Sequence, residues 1–248
     1  FFGVTVDAQN FSAANIQMVE DLGANALRTY YPMPVNVAGE VVAGGKVNTI
    51  IVGIPLNAQA YEANSLNSFF GSSVPVVDSR ISIVAGNYVD YVRNLKAAVG
   101  SNTKIVVELM NEPNFDNNYP VWVNKPATEA TFQEMFNVID VAAKNIHTQV
   151  GSDVTVTTVL GDRPEHFTAA LKTNVDAIGI NYYRHDASLK NNIQAAYTQS
   201  GIEKPFYITE AGETSTGSEA AQFQVVLNDW YAAQQMKMSI TFMALEDN

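Results

Sequence analysis

Eight short apolar runs constrain what this chain can fold into. They stand at 1–6 (FFGVTV), 24–31 (ANALRTYY), 48–56 (NTIIVGIPL), 104–111 (KIVVELMN), 154–160 (VTVTTVL), 175–183 (VDAIGINYY), 205–210 (PFYITE) and 238–245 (MSITFMAL). Each is a continuous stretch rather than a strict apolar–polar alternation, the pattern of strands covered on both faces. Helical segments lie between most of them. Ser12 is placed to cap a helix that ends at Gly23. Ser79 precedes a segment whose Ile81, Val84, Tyr88, Tyr91, Val92 and Leu95 follow a helical period, ending at Gly100. Thr131 and Glu134 form a capping box ahead of Met135, Phe136, Ile139, Ala143 and Ile146, with Gly151 as the stop, and 217–235 fits one more helix. Strands alternating with helices eight times over predict an α/β chain folded as one parallel, closed (β/α)8 barrel across 1–248. The alternative is an open doubly wound sheet, against which no G-x-G-x-x-G and no P-loop follows the first strand. The chain stops at Asn248, so an eighth helix is missing from it, and the natural protein is expected to continue.

Composition narrows the chemistry. Among 248 residues, 47% are hydrophobic and 16% charged, enough apolar material for a large core. A net charge of −11 argues against a nucleic acid or an anionic membrane surface as partner, since the long-range field repels both. A neutral ligand meets no such repulsion. The absence of cysteine removes disulfides, thiolate metal sites and a Cys nucleophile. Three scattered histidines, His147, His166 and His185, do not suggest a multi-His metal site, and no metal or cofactor is expected. No run approaches the roughly 18 apolar residues of a membrane span. Carboxylates are left as the main reactive groups.

Barrel enzymes take their catalytic groups from the carboxyl ends of strands. Glu112 ends the fourth run in LMNEPN, and Glu210 ends the seventh in YITEAGE. Closure of the barrel aims both at the axis from nearly opposite sides. Two carboxyls across a cleft suit glycosidic bond cleavage, where one protonates the leaving oxygen and the other attacks or stabilises the oxocarbenium-like centre.

These motifs resemble those of the retaining glycoside hydrolases of clan A, strand by strand along the whole barrel. The resemblance implies that Glu112 is the general acid/base and Glu210 the nucleophile. It matches Asn111 to the asparagine that binds the sugar 2-hydroxyl, and Pro113 to the turn that follows. Arg28, in LRTYYP at the end of the second run, falls where the clan keeps an arginine beside the nucleophile. A cation there holds a nucleophilic carboxylate ionised. Tyr183 falls where the clan places a tyrosine that hydrogen-bonds the nucleophile; Asn181 shares its face by period two. Tyr182 is the alternative, because one residue of register exchanges them.

Within the clan, LRTYYP, INYY and ITEAGE are most similar to the β-1,3-glucanase and glucanosyltransferase families, glycoside hydrolase families 17 and 72 and their bacterial relatives. Arg28-Thr-Tyr30 and Glu246-Asp247 fit their second and eighth strands. The acid/base motif NEPN is closer to cellulase, mannanase and xylosidase families, and FMALED lacks the tryptophan many members place under the sugar. The resemblance implies a secreted, monomeric retaining hydrolase or transglycosylase acting on a β-glucan, most simply a β-1,3-linked one. The rivals are a β-1,4-mannanase or cellulase-type hydrolase, an inactive carbohydrate-binding barrel, and an acid/base enzyme with a non-sugar substrate.

Two long irregular stretches, 57–78 and 113–127, follow strands and so belong to the rim. Their aromatics Phe69, Phe70, Phe115, Tyr119 and Trp122, with Tyr30 and Tyr31, can stack on sugar rings, Trp122 being the best platform. Glu108 and Glu246 are candidate subsite or supporting acids. Glu213, Arg184 and His185 are rim candidates of lesser weight. His147, His166 and Trp230 read as structural, and Asn10-Phe-Ser12 is the one glycosylation sequon.

Overall fold

A computed structural model describes residues 2–6, 13–54, 56, 88–114, 128–183, 188–211, 219–236 and 238–243. Eight strands close into a parallel barrel in chain order, β1 (Phe2–Val6), β2 (Ala26–Thr29), β3 (Thr49–Ile54), β4 (Lys104–Asn111), β5 (Thr155–Leu160), β6 (Ala177–Asn181), β7 (Phe206–Glu210) and β8 (Ser239–Met243), with β8 pairing back onto β1. Among the described residues, seven α-helices fall between them: α1 (Ala13–Asp21), α2 (Val35–Ala43), α3 (Tyr88–Val99), α4 (Glu129–Gln149), α5 (Phe167–Leu171), α6 (Ser188–Ser200) and α7 (Glu219–Gln235). A 3-10 turn, Pro164–His166, leads into α5. The expected (β/α)8 architecture is therefore the observed one, and all eight apolar runs form strands. None of the described helices is long and apolar enough to cross a membrane.

Several local expectations shift. α4 begins at Glu129, so Thr131 lies inside the helix rather than capping it. α2 carries a weak sequence signal, because Val35, Val37, Val41, Val42 and Gly39 are poor helix formers. Packing overrides propensity there: Ala38 and Val41 are fully buried in the large core, where α2 packs against α3. The proposed caps Ser12 and Ser79 lie outside the described residues.

Two apolar populations hold the barrel together. The outward faces of the strands, with Leu27, Ile50, Val52, Ile54, Val107, Ile178 and Ile208, join the inner faces of the helices in one large core. Burying each such side chain stabilises by about 1.5–3 kcal/mol. A separate small cluster, Ala26, Ile51 and Val106, fills the barrel interior. Arg28 and Glu108 stand two residues above Ala26 and Val106, on the same strand faces. They therefore continue the interior upward as a polar layer.

Candidate active site

Both glutamates end strands that carry one extra residue. Between β4 and β5, Glu108 pairs with Thr157 but Asn111 pairs with Val159, so three steps on β4 oppose two on β5. Between β6 and β7, Ile180 pairs with Ile208 but Asn181 pairs with Glu210, so Thr209 is the extra residue. A bulge breaks the period-two alternation and re-aims side chains. On β4, Leu109 and Met110 both enter the outer core, and Asn111 then turns inward. Met110 and Glu112 take left-handed backbone with φ of 66° and 50°, the only non-glycine residues among those described that do so. Such a conformation costs roughly 1–3 kcal/mol at each position. The Glu112 amide donates to the Val159 carbonyl at 2.7 Å, which secures the strained turn.

The inward side chains meet across strands that are not neighbours in the sheet, so their contacts run through the barrel interior. Arg28 of β2 is fully buried. Its Nε–H is shared by the two Glu108 carboxylate oxygens at 3.0 and 2.9 Å, its Nη1 donates to Glu210 Oε1 at 2.9 Å, and its Nη2 donates to Asn111 Oδ1 at 3.2 Å. Arg28 is thus no solvated surface charge. A guanidinium can only donate, which fixes the Asn111 amide with its oxygen inward. Asn181 must then present its NH2 to the same oxygen, at 3.2 Å, and it also donates to Glu112 Oε1 at 3.0 Å. Its own oxygen accepts from the Thr209 hydroxyl at 3.0 Å. One cation thereby orients a chain of groups from β2 to both glutamates.

Glu210 is buried, 5% exposed, and its second oxygen accepts from the Tyr183 hydroxyl at 2.8 Å. Tyr30 also hydrogen-bonds Glu210, and its ring lies 4.7 Å from the Arg28 guanidinium carbon. A side chain at Gly53 would put Cβ 2.0 Å from the Tyr30 carbonyl oxygen, so only glycine on β3 lets the end of β2 settle there.

Burial works against the Arg28 charge, but Glu108 and Glu210 outweigh it and hold the guanidinium protonated. Burial pushes the Glu108 carboxyl above the ordinary range, and Arg28 offsets this only in part. Burial, then the negative charge of Glu210, pushes the Tyr30 and Tyr183 phenols well above their ordinary value. Both phenols therefore remain donors at neutral pH.

The structure brings together Arg28, Tyr30, Asn111, Glu112, Tyr183 and Glu210. The Tyr182 side chain is buried in the apolar core, while its backbone amide donates to the Glu210 carbonyl at 2.8 Å. Trp122 and Glu246 lie outside the described residues, as do Phe69, Phe70, Phe115, Tyr119, Arg184, His185 and Glu213. His166 is buried against Phe132, His147 pairs with Asp176 at 2.9 Å, and Trp230 packs against the core. Asn114, the last residue of NEPN, is buried and exchanges hydrogen bonds with the Gly161 backbone at 3.2 and 2.8 Å, which ties the β4 and β5 ends together. Asn181 and Thr209 had no assigned role; period two on INYY marks the first, while nothing in the sequence marks Thr209. Among the described residues, no cluster of three or more His, Asp or Glu side chains is arranged to hold a metal.

No protein-family model and no curated protein sequence matches the chain. Solved structures do. β-Glucuronidase 2 of Bacteroides uniformis, covalently bound to cyclophellitol-6-carboxylate aziridine, aligns with 98% of this chain and 30% of its own at 12% identity, with a TM-score of 0.64. The Bifidobacterium dentium β-glucuronidase complexed with coumarin-3-O-glucuronide aligns with 98% of this chain and 39% of its own at 15% identity and a TM-score of 0.61. For the Faecalibacterium prausnitzii β-glucuronidase the figures are 98%, 41%, 16% and 0.57. The chain thus spans well under half the length of these enzymes. The likeness is one of fold: a barrel of the kind found in glycoside hydrolases.

Proposed function

We propose that this chain is a retaining glycoside hydrolase, or transglycosylase, acting on a β-glucan of β-1,3 linkage. One observation carries the reading: two glutamates on opposite strands, β4 and β7, are joined through one buried hydrogen-bond network but held in different ways. Glu210 accepts from a cation and a phenol, as an ionised nucleophile requires. Glu112 is half-buried and accepts from the neutral Asn181 amide. In the first step a Glu210 oxygen attacks the anomeric carbon, the bond to the leaving oxygen breaks, and Glu112 gives that oxygen its proton. In the second, Glu112 takes a proton from water or a sugar hydroxyl, whose oxygen displaces Glu210 from the anomeric carbon. The Asn111 oxygen is occupied by Arg28 and Asn181, which leaves its NH2 to donate to a substrate hydroxyl. A glycosidase neighbour captured with a covalent aziridine agrees with a double displacement on this barrel.

The NEPN motif favours a second reading, a β-1,4-mannanase or cellulase-type hydrolase. Laminarin, mannan, xylan and carboxymethylcellulose assayed side by side separate the two, with the first-formed anomer followed by NMR. Release of the β-anomer from laminarin supports the proposal. Release of the α-anomer overturns retention, and exclusive action on mannan or carboxymethylcellulose overturns the linkage. Oligosaccharide binding without product identifies a binding barrel.

A further inference from the structure

The double displacement moves charge around one buried guanidinium. Arg28 is wholly buried, with its side chain 0% exposed, and it lies between two carboxylates, Glu108 at 1% and Glu210 at 6%. In the resting site one buried guanidinium faces two buried carboxyl groups. When Glu210 bonds to the anomeric carbon, its carboxylate becomes a neutral ester. The bonding pair of the broken bond leaves with the departing oxygen, which takes the Glu112 proton, so the negative charge moves from Glu210 to Glu112. The Arg28 guanidinium hydrogen-bonds Glu210, Glu108 and Asn111 and lies against the Tyr30 ring, and it connects to Glu112 through the neutral amides of Asn111 and Asn181. Without a second anion it would become a buried, uncompensated cation at the moment the intermediate forms, a strongly unfavourable arrangement.

We infer that Glu108 is the standing counter-ion of Arg28, a positioning residue that keeps the buried guanidinium neutralised while Glu210 is esterified. The geometry fits this role. Glu108 takes the Nε edge of the guanidinium with both oxygens, so Glu210 receives a single N–H through Nη1 and can leave it without dragging the arginine along. Glu108 stands four positions before Glu112, inside β4 rather than just past its end, which places it deeper in the barrel and away from substrate. The inference rests on the retaining reading, and its test keeps the two apart.

The probe is 2,4-dinitrophenyl 2-deoxy-2-fluoro-β-laminaribioside, whose good leaving group permits esterification without acid help and whose fluorine slows release. Mass spectrometry follows labelling of Glu210. A wild-type chain that acquires no label overturns the retaining β-glucanase reading itself. With the wild type labelled, Glu108→Gln is expected to label about 100-fold more slowly, with the probe's binding constant changed less than about threefold, and Glu108→Asp to stay within about tenfold of wild type. Equal labelling rates in Glu108→Gln and wild type overturn the inference, as does an equal loss in the Gln and Asp variants. Folding supplies an independent check. Glu210 still balances Arg28 in the unreacted Glu108→Gln chain, so that variant is expected to fold; its failure to do so also counts against the inference. In urea, the Glu108→Gln/Glu210→Gln chain should lose more stability than the two single variants summed, because only there is the cation bare. Strict additivity would count against the counter-ion role.

Discussion

The ends of β4 and β7 use the same device to different effect. Each strand gains one residue before its glutamate, which re-aims side chains that strict alternation would send outward. At β4 the change forces left-handed backbone at Met110 and Glu112 and leaves the carboxyl half-buried beside a neutral amide. At β7 no non-glycine residue takes that conformation, and the carboxyl is sunk beside a guanidinium and a phenol. The lesson is that environment, rather than residue type, divides the labour between two chemically identical groups. The group that must give up a proton is half-buried and accepts from a neutral amide. The group that must keep a charge until it bonds sits against a cation.

The largest effect expected from breaking this contrast is a difference between two isosteric variants on one activated substrate. Glu210→Gln should lose turnover by about 10⁴-fold or more on laminarin and on a 2,4-dinitrophenyl β-laminaribioside alike, since no leaving group replaces a nucleophile. Glu112→Gln should lose about 10²–10⁴-fold on laminarin. It should still release a burst of dinitrophenolate from the aryl glycoside, because that leaving group departs unprotonated. Stopped-flow absorbance reads the burst. A burst from Glu210→Gln and none from Glu112→Gln would reverse the assignment.

Weaker perturbations test the partners rather than the glutamates. Asn181→Ala removes the amide that holds Glu112, and laminarin turnover should fall about tenfold while the dinitrophenolate burst is unchanged. Tyr183→Phe removes a donor from Glu210 and should slow both substrates by about tenfold. Kinetics on the pair of substrates therefore sort the two strand ends by leaving-group sensitivity. If Asn181→Ala slowed the burst as much as laminarin hydrolysis, the network would serve both glutamates jointly, and the contrast between the ends would fail.

Much of this was legible in the residues and some was not. The eight apolar runs specify strands because a parallel sheet buried on both faces needs continuous hydrophobic stretches, and Arg28 was legible as buried because apolar residues surround it. Period two placed Asn181 with Tyr183 and put Tyr182 on the opposite face, where the core takes it. The bulges were not legible. Nothing in KIVVELMN or PFYITE announces an extra residue, since register is a property of the neighbouring strand as much as of the strand itself. The roles of Asn111 and Thr209 depend on those bulges, as does the bulge-set alignment of Thr209 with Asn181 across two strands. The α2 helix was hidden for a different reason: its valines and Gly39 carry little intrinsic helicity, and burial in the core beside α3 supplies what propensity does not.

The smallest expected effect concerns the phenols around Glu210. A phenol whose folded value is raised keeps its proton beyond the pH at which the unfolded chain loses it. The stability tied to that proton is complete below about pH 10 and is lost as pH climbs above it. For Tyr183 the main cause is burial, followed by Glu210, with Glu112 contributing least. Removing an anion relieves repulsion of the phenolate, so Glu210→Gln should bring part of the tyrosinate absorbance near 295 nm to lower pH than in wild type. Glu112→Gln should move it less. The shift is modest because Tyr183 is 43% exposed and water screens its neighbours. The deeper phenols of Tyr88 and Tyr91 on α3, raised by burial first and without either glutamate, should titrate unchanged in both variants. Equal displacement by the two substitutions would mean that the charge of Glu112 reaches the phenols as strongly as that of Glu210. The separation between a half-buried acid at the end of β4 and a sequestered carboxylate on β7 would then be one of geometry without an electrostatic counterpart.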